Sequence, residues 1–180
     1  MDEKYIIFEG LIDQQASTKL VDAIKSLTNS GATKITILFS SLGGSIYEGF
    51  LIATLIQNSR IPIKIHATNH IDSIANVIFL SAKEKTAESH AKFYLHGAAI
   101  QGNFDEKALL EKLSEIRAQN TRIANFVSEN SSIIFKKVQE MMKAGTTLST
   151  QEAHKKQMVD RIEHLEIPAF AERIEIIYVN

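Results

Sequence analysis

Three features of the sequence combine residue types and spacings that could do chemistry: the glycine pair Gly43-Gly44, the serine Ser73 and the histidine His96. The glycines lie in FSSLGGSIYEGF, Phe39 to Phe50, between an apolar run and a helix-like run. A dinucleotide loop needs G-x-G-x-x-G and a nucleoside-triphosphate loop needs G-K-[ST]; this stretch has neither, and no lysine follows its glycines. Glycines at the C-terminal edge of a strand still free main-chain N–H groups to face a ligand, because no Cβ blocks the approach. Such donors can stabilise an oxyanion or pair with an extended peptide. A tight strand-to-helix turn is the plainer alternative.

Ser73 follows Asp72 and opens the apolar run Ile74 to Leu80, so it stands at the start of a helix. A serine there serves as an N-cap. The positive potential and free N–H groups of that terminus also suit a nucleophile whose substrate becomes an oxyanion. No G-x-S-x-G elbow is present, which disfavours an α/β-hydrolase. Of six histidines, His66 and His70 precede Ser73, His90 lies in a polar turn, and His154 and His164 have charged surroundings. His96 differs, ending the apolar run KFYLH just before Gly97-Ala98-Ala99, where it could pair with Ser73 across adjacent strand–helix units. No H-x-x-H or H-E-x-x-H spacing supports a metal site, and the absence of cysteine excludes disulfides, thiolate metal sites and a cysteine nucleophile.

The elements that must position these residues can be read from periodicity. Tyr5 to Phe8 is a short apolar strand. From Ser17, the spacing of Leu20, Ile24 and Leu27 predicts an amphipathic helix with Gly31 beyond its end. Lys34 to Phe39 is β-branched and apolar on both faces, as a buried parallel strand should be. Ile46, Phe50, Ala53 and Ile56 mark a second helix; Ile63 to Ala67 a further strand; Ile74 to Leu80 a buried helix; and FYLHG a strand leading into His96. This alternation predicts an α/β fold with parallel pairing and right-handed crossovers. Beyond Gly102 the pattern changes to a long amphipathic run, Phe104 to Val127, expected to pack on another subunit. Ser132 to Ala144 reads as another helix, and Ser149 with Glu152 as a capping box opening a short one. MVDRI and ERIEIIYV read as closing strands. With no repeat or linker, residues 1–180 are expected to form one domain, with residues 102–130 as a helical oligomerisation arm.

A chain of 180 residues can bury roughly 70% of its unfolded surface. Its net charge of −1, without a Lys/Arg cluster longer than two, gives no footprint for nucleic acid. No 18-residue apolar run offers a membrane span, and MDEKYIIFEG lacks the apolar region and cleavage site of a signal peptide, so a cytoplasmic location without a membrane partner is expected.

Taken in order, these motifs resemble the ClpP-type serine peptidases of the Clp/crotonase superfamily. The family's S-P-G-G-S is matched by Ser41-Leu42-Gly43-Gly44-Ser45 without the proline. Its nucleophile, in a segment like A-S-M-G-A, lies 28 residues after the serine of GGS, as Ser73 lies 28 after Ser45. The strand V-M-I-H-Q-P is matched by Phe93-Tyr94-Leu95-His96-Gly97, and F-L-S-A-P-E-A and G-L-V-D-S-I resemble Leu148 to Ala153 and Met158 to Ile162. The resemblance spans residues 4–163 and implies a repeated β-β-α spiral fold with a protruding long helix. It further implies peptide-bond hydrolysis by Ser73 with His96 as general base, an oxyanion hole from the N–H groups of Gly44 and Ile74, and a Gly43-Gly44 stretch that pairs with substrate backbone. No cofactor is implied. The implied partners are peptides or unfolded proteins, further copies in a ring, and an AAA+ unfoldase, although the N-terminal docking segment is largely absent here.

The departures bear on activity. The family's aspartate falls four residues before the serine of L-S, where this chain has Gly145, and no carboxylate occurs between Glu140 and Glu152. Losing that acid costs about 10⁴ in rate in trypsin-type proteases. Thr146, Thr147 or Glu140 could replace it, or the third member is lost. Asp72 puts a carboxylate beside the nucleophile, and Asn76 stands where small or apolar residues are usual. An inactive ClpP-like structural or regulatory subunit is the alternative. A crotonase-type acyl-CoA enzyme is a third reading, with only Asp72 as its acid.

Overall fold

The computed structural model describes residues 2–178. Strand β1 (Glu3–Glu9), helix α1 (Gln14–Asn29), β2 (Lys34–Ser41), α2 (Ile46–Gln57), β3 (Ile63–Asp72) and α3 (Ala75–Leu80) form the first half. Then come β4 (Glu84–Ala87), β5 (Lys92–Leu95), α4 (Glu106–Glu129), α5 (Phe135–Ala144), β6 (Thr146–Ser149), α6 (Thr150–Lys155), β7 (Arg161–Ile162) and β8 (Arg173–Ile177). The sheet runs β6-β5-β3-β2-β1-β8, with β4 beside β3 and β7 beside β4. The pairings among β1 to β5 are all parallel, as the strand–helix alternation predicts, whereas β6, which was not expected, pairs antiparallel with β5.

The sheet forks along β3. Its first half pairs with β4 (Lys64 to Ala67) and its second half with β5 (His70 to Asp72). Between these halves the register against β2 slips, from Phe39↔Ala67 to Ser41↔Ile71, so β3 spends two extra residues on a bend. That bend delivers Asp72 and Ser73 to the strand that ends in His96.

Phe8, Phe39, Ile37 and Ile65 are buried on one side of the sheet, against Leu20 and Leu27 of α1 and Ile52 and Ile56 of α2. Helix α3 is buried at all six positions, five of them apolar and the sixth Asn76, and Phe79 meets Phe93 of β5 edge-on at 5.2 Å. Each such aromatic burial stabilises the fold by about 1.5–3 kcal/mol. Helix α1 starts at Gln14, three residues before the expected Ser17, because Asp13 caps it by accepting from Ala16 N–H at 2.7 Å. Helix α5 starts at Phe135 rather than Ser132, and the capping box of Ser149 and Glu152 is present.

The closing strands lie on opposite edges, β7 on β4 and β8 on β1, so residues 163–172 run from one edge of the sheet to the other. Their path is fixed by ions. Lys64 Nζ meets Glu163 at 2.7 Å, Glu88 accepts from Leu165 N–H at 3.2 Å, and Lys4 Nζ meets Glu172 at 2.6 Å. The last residue of the expected ERIEIIYV strand, Val179, lies outside the described residues. Among the described residues no helix is long and apolar enough to cross a membrane.

Candidate active site

Ser73 does not cap α3. The N-cap position is Ile74, with no side-chain cap bond, and Ser73 itself has φ of 57°. A left-handed conformation costs an L-residue about 1–2 kcal/mol, and strain of this kind persists only where surrounding structure over-determines it. Here the bonds that hold it are visible. Ser73 N–H donates to Tyr94 O at 2.8 Å. Asn76, fully buried, points its amide Nδ2 at three carbonyls: Ile71 at 2.9 Å, Ser73 at 3.1 Å and Tyr94 at 3.0 Å. The asparagine that departs from the family pattern thus ties the serine turn to the histidine strand.

The glycine pair is fitted to the same turn. A Cβ on Gly43 would lie 2.6 Å from Ser73 Cβ and 2.9 Å from Asp72 O, so only glycine lets the two segments meet. A Cβ on Gly44 would strike the Ile12 main chain. The loop is locked there by Ile12 N–H to Gly43 O at 2.8 Å and Ser45 N–H to Ile12 O at 2.7 Å. Gly43 N–H donates to Ser41 Oγ at 3.1 Å and is therefore engaged. The N–H groups of Gly44 and of Ile74, the latter an orphan donor of the α3 terminus, have no acceptor among the described residues.

His96 follows β5 directly. Phe93 and Leu95 are buried in the core, so the alternate positions Tyr94 and His96 share the opposite face, their rings stacked at 4.9 Å and 25°. His96 Nδ1 lies 2.8 Å from Gly97 O. A carbonyl only accepts, so Nδ1 carries the hydrogen and Nε2 presents its lone pair. Ser73 and His96 are brought to the ends of adjacent strands without a hydrogen bond between them; such bonds are often long in unliganded sites and tighten around substrate.

Gly145 caps α5 with φ of 67°, and a Cβ there would lie 3.0 Å from Tyr94 Oη. The tyrosine therefore fills the room into which a side chain at position 145 would project. Of the residues that could replace an acid there, Thr146 donates to Met141 O at 3.0 Å and Glu140 pairs with Lys137 at 3.1 Å. Thr147 lies opposite Tyr94 in the register. Asp72 turns to His70 (Oδ2 to Nδ1, 3.4 Å) and lines a shallow cavity of about 260 Å³ with His70, Lys92, Tyr94 and Thr147. Burial pushes its carboxyl up from the usual range, with His70 and His96 pulling the other way. A second cavity of about 350 Å³ lies beside the glycine pair, bordered by Leu11, Ser41, Leu42, Asn69, His70 and Ile177.

Tyr94, Gly97 and Asn120, whose Oδ1 accepts from Ala98 N–H at 2.7 Å, enter this site without having been singled out in the sequence. The alternation FYLH signals only that Tyr94 shares a face with His96; nothing local marks the other two.

Comparison with known proteins bears on the whole chain. The family model described as Clp protease matches residues 1–166. No curated protein matches the chain. Among solved structures, an asparagine-to-aspartate mutant of ClpP1 from Listeria monocytogenes superposes with a TM-score of 0.82, covering 90% of this chain and 92% of that one at 20% identity, a likeness of fold. The family match runs unbroken through every element that builds the site, and from it follows the lineage: the chain belongs to the Clp protease family.

Proposed function

We propose that the protein is a serine endopeptidase in which Ser73 is the nucleophile and His96 the general base. The observation that carries this reading is the strained Ser73 turn, pressed against Gly43 and flanked by two N–H groups that have no acceptor among the described residues. Ser73 Oγ bonds to the scissile carbonyl carbon as its proton passes to His96 Nε2. The carbonyl oxygen, now an oxyanion, receives hydrogen bonds from Gly44 and Ile74 N–H. Collapse breaks the C–N bond while His96 returns the proton to the leaving amine, and water then releases the acyl group by the same steps in reverse roles. The substrate is a peptide in extended conformation laid along the glycine segment, where main-chain pairing supplies affinity without reading sequence.

The protein acts as an oligomer, a ring of its own copies. Support comes from α4, whose buried residues, Ile123, Ala124 and Val127, all lie in its last third. The first half instead exposes Leu109, Leu110 (62%) and Leu113. A contiguous apolar stripe of this kind marks an interaction surface. Size-exclusion chromatography giving a monomer would remove this part of the reading.

Hydrolysis of fluorogenic peptides or casein tests the activity: the parent protein cleaves and Ser73→Ala abolishes cleavage. A second reading, a non-catalytic ClpP-like subunit, is favoured by Gly145, which leaves the imidazole without a carboxylate partner. It requires that Ser73→Ala leave every measured property unchanged.

A further inference from the structure

Resting on the peptidase reading, we infer that the Gly97 carbonyl takes over the orienting role of the missing acid, and that Asn120 of α4 is the positioning residue that holds it there. Gly97 C=O and Ala98 N–H are the two ends of the same planar amide and point in opposite directions. His96 Nδ1–H grips the oxygen at 2.8 Å, and Asn120 Oδ1 grips the N–H at 2.7 Å. Because the unit is rigid, fixing its N–H fixes its carbonyl, and hydrogen bonding at one end polarises the other into a better acceptor.

The peptide needs such a hold. Residues 96–105 contain no helix or strand, and glycine at position 97 leaves the backbone its full freedom. Gly97 N–H adds a second anchor, donating to Met142 O of α5 at 3.1 Å. Asn120 lies one turn before the buried Ile123 and Ala124, in the part of α4 that packs on the body of the protein, so its side chain starts from a fixed position. The turn after His96 is thus clamped between α4 and α5.

The chemical consequence is specific. An amide at the acid's position can leave imidazole in the wrong tautomer, which is the main damage when aspartate is replaced by asparagine in trypsin-type proteases. A carbonyl cannot donate, so it enforces the Nδ1–H tautomer and keeps Nε2 free to accept the serine proton. It lacks the full negative charge of a carboxylate, so it orients the ring without supplying an acid's charge.

Two variants separate this role from simple packing. Asn120→Asp keeps an oxygen acceptor for Ala98 N–H, whereas Asn120→Ala removes it. Selective ¹⁵N-histidine labelling reads the His96 tautomer directly, whether or not the protein is active. The parent and Asn120→Asp are expected to hold His96 as Nδ1–H, and Asn120→Ala to shift it toward Nε2–H. The first-order rate of Ser73 acylation by a fluorophosphonate at saturation is expected to fall about tenfold in Asn120→Ala, as for one lost hydrogen bond, with half-saturation unchanged and Asn120→Asp close to the parent. An unchanged tautomer in Asn120→Ala, or equal damage from both variants, overturns the inference. A parent protein that never reacts at Ser73, with the tautomer shift still present in Asn120→Ala, overturns the peptidase reading and leaves this clamp standing.

Discussion

Returning a carboxylate to position 145 is expected to harm the protein rather than repair it. Gly145 ends α5 with φ of 67°, where an L-residue pays about 1–2 kcal/mol, with aspartate near the lower figure because its side chain can bond locally. Its Cβ would sit 3.0 Å from Tyr94 Oη, closer than ordinary contact. The tyrosine cannot yield freely, since its ring stacks on His96 at 4.9 Å, and overpacking of this kind adds about 1 kcal/mol. The sum for Gly145→Asp is roughly 2–3 kcal/mol, and at about 2–4 °C per kcal/mol for a chain of this size, Tm falls by about 4–12 °C. Tyr94→Phe removes Oη, so the double variant Tyr94→Phe/Gly145→Asp is expected to recover about 1 kcal/mol of crowding and keep the backbone strain. Thermal melts of the four proteins close the cycle, and fluorophosphonate labelling follows Ser73 in each. A Gly145→Asp protein that melts with the parent, or labels faster while Tyr94 is in place, refutes the reasoning.

Gly43→Ala is expected to displace the nucleophile turn, because its Cβ would meet Ser73 Cβ at 2.6 Å; a misplacement near 1 Å costs about 10² in rate, read as peptide hydrolysis in a protein that still folds. Parental activity in that variant would contradict the packing of the glycine pair on the serine. Acid titration tests the ion pair that anchors Glu163 to β3. The Lys64 ammonium holds Glu163 down at about 2, below its ordinary 4.5, so its contribution is present above pH 4.5 and is lost as pH falls toward 2. With 31% of that side chain exposed, solvent screening leaves about 1–2 kcal/mol, and Glu163→Gln should flatten the stability profile across this window. A profile identical to the parent's would contradict it.

Much of this architecture was legible in order and type. The strand–helix alternation through Leu80, the capping box at Ser149 and the spacing from Ser45 to Ser73 depend on local residue types, so the sequence carries them openly. Strand β4 was not legible because Glu84-Lys85-Thr86-Ala87 has no apolar alternation. It is a strand through its pairing with β3 and the ion pairs of Glu84 with Lys34 and Arg161. Strand β6 is four residues long and pairs against the parallel trend, a choice made by tertiary contact. In the site, Ser73 suited a cap or a nucleophile on its sequence, and its φ together with the helix start at Ile74 removes the cap. The partners of His96 were hidden for a physical reason. Tyr94 against Gly145 and Ala98 against Asn120 are contacts across tens of residues, and they leave no periodicity in either segment.

Whether Ser73 is a nucleophile is read most directly by site-resolved mass spectrometry after fluorophosphonate treatment. A single adduct is expected on the peptide carrying Ser73, absent from Ser73→Ala and slowed in His96→Ala. A folded parent protein that carries no adduct at Ser73, beside a serine peptidase fully labelled under the same conditions, would contradict it.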